Sequence, residues 1–457
     1  MHLPEFSTGE GGLRARRHDQ RVGARHREGA PATEARDEGR RSDLTRYEGR
    51  ARIVKLADRT SRVASSPTLK VGLEAARLRR TGADVVDFGA GEPDFATPEH
   101  AKAAARDAID ANFTKYTPNA GVEELKVGLA ARYRTDYGVE YEPQQVIVSA
   151  GGKQALYNTA MALFGPGDEV VTHAPGWPTI VEQIKLADAT PVTVRTHAED
   201  GFRVDPAAVI SALTPRTRGI ILNSPGNPTG AVIAEADLAV IADEAASRGL
   251  WVILDLCYER LIYEDVPHNL PRVLQERMPD RTVLTGSMSK AYAMTGWRCG
   301  WVMGPAPVIS ACGAIQSHAT SNVCSITQRA AIGALAGPQG CVGEMLDEYR
   351  SRRDQVSEWL RADPRIRLVK PAGAFYLFPD VSDLLSVDGI VTSAELAQEL
   401  LTKAHVAVTP GEAFDAPGFL RISYATSMER LREGTSRILE FIRTSDRIPK
   451  LDAQSAS

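Results

Sequence analysis

Cysteine is scarce in this 457-residue chain: there are five, an odd number, and Cys257, Cys299, Cys312, Cys324 and Cys341 show no C-x-x-C spacing. That excludes a disulfide framework and a thiolate metal site, so no metal is expected and reduced thiols fit a cytoplasmic protein. Long apolar runs are also missing, which excludes a membrane-spanning helix and any membrane partner. Neither sign of charge dominates: 54 Lys and Arg against 58 Asp and Glu give a formal net charge of -4, no electrostatic basis for binding nucleic acid. Residues 1–52 contain no lysine and almost no apolar periodicity, and mix arginines with nearly as many acids. Disorder is expected there. The stretch has too many acids for a transit peptide and no apolar centre for a secretory signal. It also lacks helix-turn-helix periodicity and is too short for a DNA-binding head plus a linker, which argues against a transcription regulator. No methionine occurs between Met1 and Met161. Residues 1–52 are therefore expected to be a misassigned or non-functional start, with translation beginning near Val54 from a non-AUG codon.

What is present is a globular composition, 43% hydrophobic, on a chain long enough for two domains. A helical stretch from Leu69 to Thr81 and a short strand, Val85 to Phe88, lead to Gly89-Ala-Gly-Glu-Pro-Asp-Phe95. Pro93 and Asp94 break the dinucleotide fingerprint that a glycine-rich turn after a strand would otherwise suggest. Between Pro98 and Gly337, helical patterns alternate with seven β-branched runs: Val146–Val148, Glu169–Thr172, Val192–Val194, Gly219–Leu222, Trp251–Leu254, Thr282–Leu284 and Gly300–Val302. Such alternation predicts an α/β sandwich with a mostly parallel sheet. A polar helix over 342–361, strands near 374–378 and 420–424, and a final helix with Leu431, Ile438, Leu439 and Ile442 on one face predict a smaller α+β domain. The expected boundaries are 53–98 with 338–444 for the small domain, 99–337 for the large one, and 445–457 for a flexible tail.

The residues with chemistry follow the strands. Lys290, in Gly286-Ser-Met-Ser-Lys290-Ala-Tyr-Ala-Met-Thr-Gly-Trp-Arg298, is expected on a loop between two apolar runs. A buried ammonium is costly unless paired or neutralised, and a neutralised one is a nucleophile for a carbonyl cofactor. Ser287, Ser289 and Arg298 would suit a phosphate on it; an ordinary Ser-Lys loop is the alternative. After Val148, Gly151 and Gly152 open a helix whose free N–H groups form a phosphate seat, or simply a tight turn. Trp177, on a loop after the next strand, would stack on a flat ring or fill core. Asn227 lies in Asn-Pro-Thr-Gly, which is turn chemistry on its own terms. Asp255 ends four apolar residues and needs a positive partner or a capping role, with Tyr258 three residues on. Arg421 interrupts an apolar strand and suits bidentate capture of a carboxylate, unless it lies on an exposed edge.

In this order, these segments resemble the class I/II pyridoxal-phosphate aminotransferases of fold type I, closest to the bacterial aspartate aminotransferase branch, over roughly residues 55–444. The resemblance implies a large domain with a seven-stranded, mostly parallel sheet between helices. It implies that Lys290 carries the cofactor and moves the proton, and that Asp255 holds the protonated pyridine nitrogen. Tyr258 and Asn227 would bond O3′, and Trp177 would stack on the ring. Gly151, Gly152, Lys153, Ser287, Ser289 and Arg298 would surround the phosphate. Gly91 and Arg421 would receive the α-carboxylate. Lys115-Tyr116-Thr-Pro-Asn-Ala-Gly121 matches a segment whose tyrosine reaches the neighbouring subunit's cofactor, which implies a homodimer with composite sites.

The substrates implied are an amino acid and a 2-oxo acid exchanged in ping-pong fashion. Lys153, with Ser66 and Thr68 nearby, matches the position that pairs with a distal carboxylate, so aspartate or glutamate with 2-oxoglutarate is expected. Gly176 and Ile180 depart from the larger aromatic residues usual in the branch, and Leu256 and Cys257 also differ. These changes would enlarge or dry the pocket for aromatic or aliphatic donors. Ala64 and Ser65 lack the basic residue of prephenate-using relatives. A C–S β-lyase on the same fold is the other alternative.

Overall fold

The computed structural model describes residues 56–64, 67–263 and 266–450, so the expectation for residues 1–52 lies outside the described residues. The chain divides into Met1–Leu56 and Ala57–Ser457, and the second holds all the described helices and strands. Twelve strands run through the described residues. They are β1 Val86–Asp87, β2 Val146–Ser149, β3 Glu169–Ala174, β4 Thr190–Arg195, β5 Thr217–Asn223, β6 Trp251–Asp255, β7 Thr282–Ser287, β8 Gly300–Met303, β9 Tyr376–Leu377, β10 Val406–Ala407, β11 Thr409–Pro410 and β12 Leu420–Ser423.

All seven β-branched runs enter one sheet, ordered β2-β8-β7-β6-β5-β3-β4. Only β8 runs antiparallel to its neighbours, β2 and β7. The central strands are buried on both faces, as crossover helices require, and so read as continuous apolar runs. Alternation within them feeds two cores: Ile221, Ile253 and Val283 face one, while Leu222, Leu254 and Leu284 face the other. Parallel register aligns Asn223 with Asp255 and Asp255 with Thr285, so the chemistry-bearing residues collect along one carboxyl edge.

A further core forms where β1 pairs with β10 and where β9 and β11 flank β12. The helices Gly340–Leu360 and Met428–Thr444 pack there, with Leu431, Ile438 and Ile442 buried and Leu439 half-buried. Two expectations change. Lys290 lies on a helical turn, Met288–Ala291, and not on a loop, because the Ser287 hydroxyl accepts from the Ser289 N–H and caps it. Residues 445–450 of the expected flexible tail are packed: Ile448 is buried, and Arg447 pairs with Glu395 and Glu399.

Candidate active site

The carboxyl edge of the sheet opens on a cavity of about 590 Å³. The segments that follow β2, β3, β5, β6 and β7 contribute to it, and β12 supplies Arg421. Four cations, Lys153, Lys290, Arg298 and Arg421, line this one space, and none has a carboxylate within ion-pair distance among the described residues. A cavity so lined is built for anions.

Asp255 is its reverse. The carboxylate is 2% exposed, accepts the Cys257 N–H at 3.1 Å, and has no cationic partner among the described residues. Burial pushes its pKa up to about 7; the Cys257 N–H opposes this and Glu259 adds to it. Lys290 is half-buried, and burial pulls its ammonium below the ordinary lysine value, with Cys257 and Glu92 opposing. Its Nζ donates to the Gly91 carbonyl and lies 5.8 Å from the Tyr258 ring centroid and 5.6 Å from that of Phe375. An amine held toward neutrality among aromatic rings is a competent nucleophile and base.

Gly151 caps the helix Gly152–Leu163 with φ +85°. A Cβ there would fall 2.5 Å from Arg298 Nη2, so only glycine lets the guanidinium lie against the helix start. Arg298 donates to the carbonyls of Thr295 (2.8 Å) and Ala150 (3.2 Å), with the buried Ser287 and Ser289 alongside in the cavity wall. Helix terminus, guanidinium and hydroxyls together make an anion seat. Lys153 lies exposed at the rim with Nζ 5.1 Å from the Trp177 ring centroid, and the surrounding protein, then Arg298, holds its pKa low.

Across the cavity, Arg421 is 2% exposed. It donates to Asn227 Oδ1 (3.1 Å) and the Gly89 carbonyl (2.8 Å), and its Nε has no partner among the described residues. Asn227 thus accepts from Arg421 with its oxygen, leaving its amide N–H groups for a ligand. Asn223 holds the turn: it accepts from the Asn227 N–H (3.0 Å) and donates to the Asp255 carbonyl (3.1 Å).

Of the expected residues, Gly91, Gly152, Lys153, Trp177, Asn227, Asp255, Tyr258, Ser287, Ser289, Lys290, Arg298 and Arg421 line this cavity, with Gly151 directly behind Arg298. Tyr116 does not line it and is 91% exposed. Ser66 lies outside the described residues; Thr68 is on the helix Pro67–Arg80, its side chain likewise outside them. Sequence reasoning missed Asn223, Glu92 and Tyr376. Glu92 stands inside the Gly89–Phe95 segment and Asn223 directly follows the Gly219–Leu222 run, whereas Tyr376 reaches the cavity only because β9 pairs with β12.

The site fits a flat cationic ring bearing a phosphate and a carbonyl, as pyridoxal phosphate does. A buried carboxylate with no cationic partner among the described residues, an anion seat and a lysine whose charged form is disfavoured by burial each suit such a group. The sequence model of the family "Aminotransferase class I and II" matches residues 83–438. The chain is 42% identical over 392 residues to the aspartate/prephenate aminotransferase of Cereibacter sphaeroides, covering 84% of this chain and 98% of that protein. It is 42% identical over 394 residues to the aspartate aminotransferase of Streptomyces avermitilis, covering 85% and 96%. Among solved structures, the aspartate aminotransferase of Thermus thermophilus with maleate matches at a TM-score of 0.80 and 40% identity, covering 84% of this chain and 99% of that one. The Rhizobium meliloti enzyme matches at 0.82 and 39%, covering 86% and 100%.

Proposed function

The chain belongs to the class I and II aminotransferases and is a pyridoxal-phosphate-dependent transaminase of amino acids and 2-oxo acids, and from that premise we propose that its donors are aspartate and glutamate, with 2-oxoglutarate as acceptor. The observation that carries this is the pair of cations without carboxylate partners, Arg421 and Lys153, lining the same cavity. One carboxylate of a dicarboxylic substrate would meet each. Maleate, a dicarboxylate, accompanies the Thermus structure.

Bound here, the cofactor supplies an electron sink for the Cα–H bond and carries the amino group from donor to acceptor. Asp255, a buried carboxylate with no cationic partner among the described residues, would keep the ring nitrogen protonated. Tyr258 and the Asn227 amide hold the phenolic oxygen, and Trp177 covers the ring. Gly151, Gly152, Ser287, Ser289 and Arg298 anchor the phosphate. Arg421, oriented by Asn227 Oδ1, fixes the α-carboxylate so that Cα faces Lys290. The Lys290 amine would take the Cα proton as general base and hand it back as general acid. The exposed Tyr116 supports a homodimer in which it completes the partner's site. The separate core around β1, β9, β10, β11 and β12 supports a small domain from 53–98 and 338–444 beside a large one from 99–337. A cytoplasmic location accords with free cysteines at all five positions and with no described helix long and apolar enough to cross a membrane.

A second reading, aromatic or aliphatic donors, rests on a neighbouring cavity of about 400 Å³ that shares Lys153 and Trp177 with the first. Ile180, Leu186 and Phe414 give it an apolar wall. Gly176 has no alternative there, because a Cβ would fall 2.5 Å from the His173 carbonyl oxygen. Half-reactions of the cofactor-loaded enzyme with a panel of amino acids, followed by absorbance, decide between the readings. Fastest conversion with aspartate or glutamate is expected. Conversion by aromatic or aliphatic donors alone would overturn the acidic pocket, and release of pyruvate and ammonia from a cysteine conjugate without an acceptor would make the enzyme a lyase.

A further inference from the structure

Tyr376 brings a second aromatic hydroxyl to the cavity beside that of Tyr258. Its oxygen lies 2.7 Å from the Tyr258 oxygen, and each hydroxyl is the other's only hydrogen-bond partner among the described residues. Both rings are buried, at 1% and 5% exposure. Two phenols so paired place one proton in the bond between them, and the hydroxyl that accepts keeps its own proton free. The cations decide which one accepts. Arg421 lies 4.4 Å from the Tyr376 ring centroid, whereas the cation over the Tyr258 ring is Lys290, at 5.8 Å. The closer guanidinium makes Tyr376 the more acidic phenol and the better donor.

We propose that Tyr376 is a positioning residue: its hydroxyl donates to the Tyr258 oxygen, turning the Tyr258 proton toward the cavity, while its ring supports the Arg421 guanidinium. One side chain from β9 thereby sets both the donor for the cofactor's phenolic oxygen and the receptor for the substrate's α-carboxylate. Gly91 completes the arrangement, since a Cβ there would come within 3.2 Å of the Tyr376 hydroxyl. Donation along the chain Tyr376 to Tyr258 to the cofactor polarises each bond in turn, so Tyr258 is a stronger donor with Tyr376 than without it. The inference rests on the pyridoxal phosphate reading of this cavity.

The test uses cofactor-loaded enzyme and follows its visible absorbance band against pH, together with maleate binding. Besides the cofactor, Cys257, Lys290 and Arg421 face the two tyrosines, and all are retained in the variants. In Tyr376→Phe the ring remains and only the hydroxyl is lost. The band's midpoint is expected to rise by about half to one pH unit, the worth of one neutral hydrogen bond, with maleate affinity within about twofold of the parent. In Tyr376→Leu the ring support goes too, and maleate affinity is expected to fall about fivefold or more. An unshifted midpoint in Tyr376→Phe would overturn the proposal, and a lowered one would mean that Tyr258 donates to Tyr376. A parent enzyme that forms no visible band would instead overturn the cofactor reading, and the inference with it.

Discussion

Asp255 and Glu259 stand four residues apart at the end of β6, both buried, and their surroundings are opposite. Glu259 is fully engaged: Arg132 pairs with it, and the hydroxyls of Tyr133 (3.1 Å) and Tyr137 (2.9 Å) donate to it. The Arg132 guanidinium in turn lies 4.8 Å from the Tyr133 ring centroid and 5.0 Å from that of Trp301. Among the described residues Asp255 has one backbone N–H and no cation. A buried carboxylate whose partners all come from its own chain is architecture; it ties the turn that carries Cys257 and Tyr258 to the helix Glu123–Tyr137. A buried carboxylate facing a cavity with its partner missing is kept for something that arrives.

The largest effect should come from Lys290, the amine lining the same cavity as Asp255. Lys290→Ala is expected to lower kcat by on the order of 10⁴ or more, and to abolish covalent attachment of the cofactor. Stopped-flow half-reactions and mass spectrometry of the borohydride-reduced protein measure the two. A variant that kept both would remove the ground for calling Asp255 a cofactor carboxylate. Arg132→Ala breaks the buried pair and should act on stability, by about 3–5 kcal/mol in denaturant unfolding, because it strands Glu259 without its cation. The visible band of the folded, cofactor-loaded variant should be unchanged. If the band moved while stability held, Glu259 would belong with Asp255 in the chemistry and the contrast would fail.

How much of this could be read beforehand follows the range of the interactions. The seven strands were legible because a buried parallel strand is a continuous apolar run, and the residues ending those runs were legible as candidates for the same reason. The helix Ser393–Lys403 was readable but unread: Thr392, three residues before Glu395, is a capping signature, and the Thr392 hydroxyl accepts the Glu395 N–H at 3.1 Å. Tyr376 was not readable. It meets Tyr258 across 118 residues of sequence, and Gly-Ala-Phe-Tyr-Leu reads as buried strand with no mark on the hydroxyl that matters. The Arg132–Glu259 pair is equally remote, spanning 127 residues. Local pattern identifies which residues sit at strand ends; only the packed chain tells which of two neighbouring acids has been left without a partner.

That distinction can also be tested in the absence of the cofactor. Asp255 has a folded-state pKa near 7 against an ordinary value of 3.8. Below about pH 4 it is protonated in both folded and unfolded chains and contributes nothing. As pH rises toward 7 the unfolded chain releases the proton and the folded one retains it, so stability falls; above 7 the penalty is complete and constant. An asparagine in its place cannot ionise, and the amide oxygen can still accept the Cys257 N–H. The cofactor-free Asp255→Asn variant is therefore expected to be more stable than the parent at pH 8, by on the order of a few kcal/mol, with the difference vanishing near pH 4. Denaturant unfolding of both proteins from pH 4 to 8 gives the difference curve, in which every other titrating group cancels. Loading the parent with pyridoxal phosphate should reverse the sign, because the ring nitrogen then gives the carboxylate its cation. A flat difference curve would mean that Asp255, like Glu259, finds all the partners it needs within its own chain.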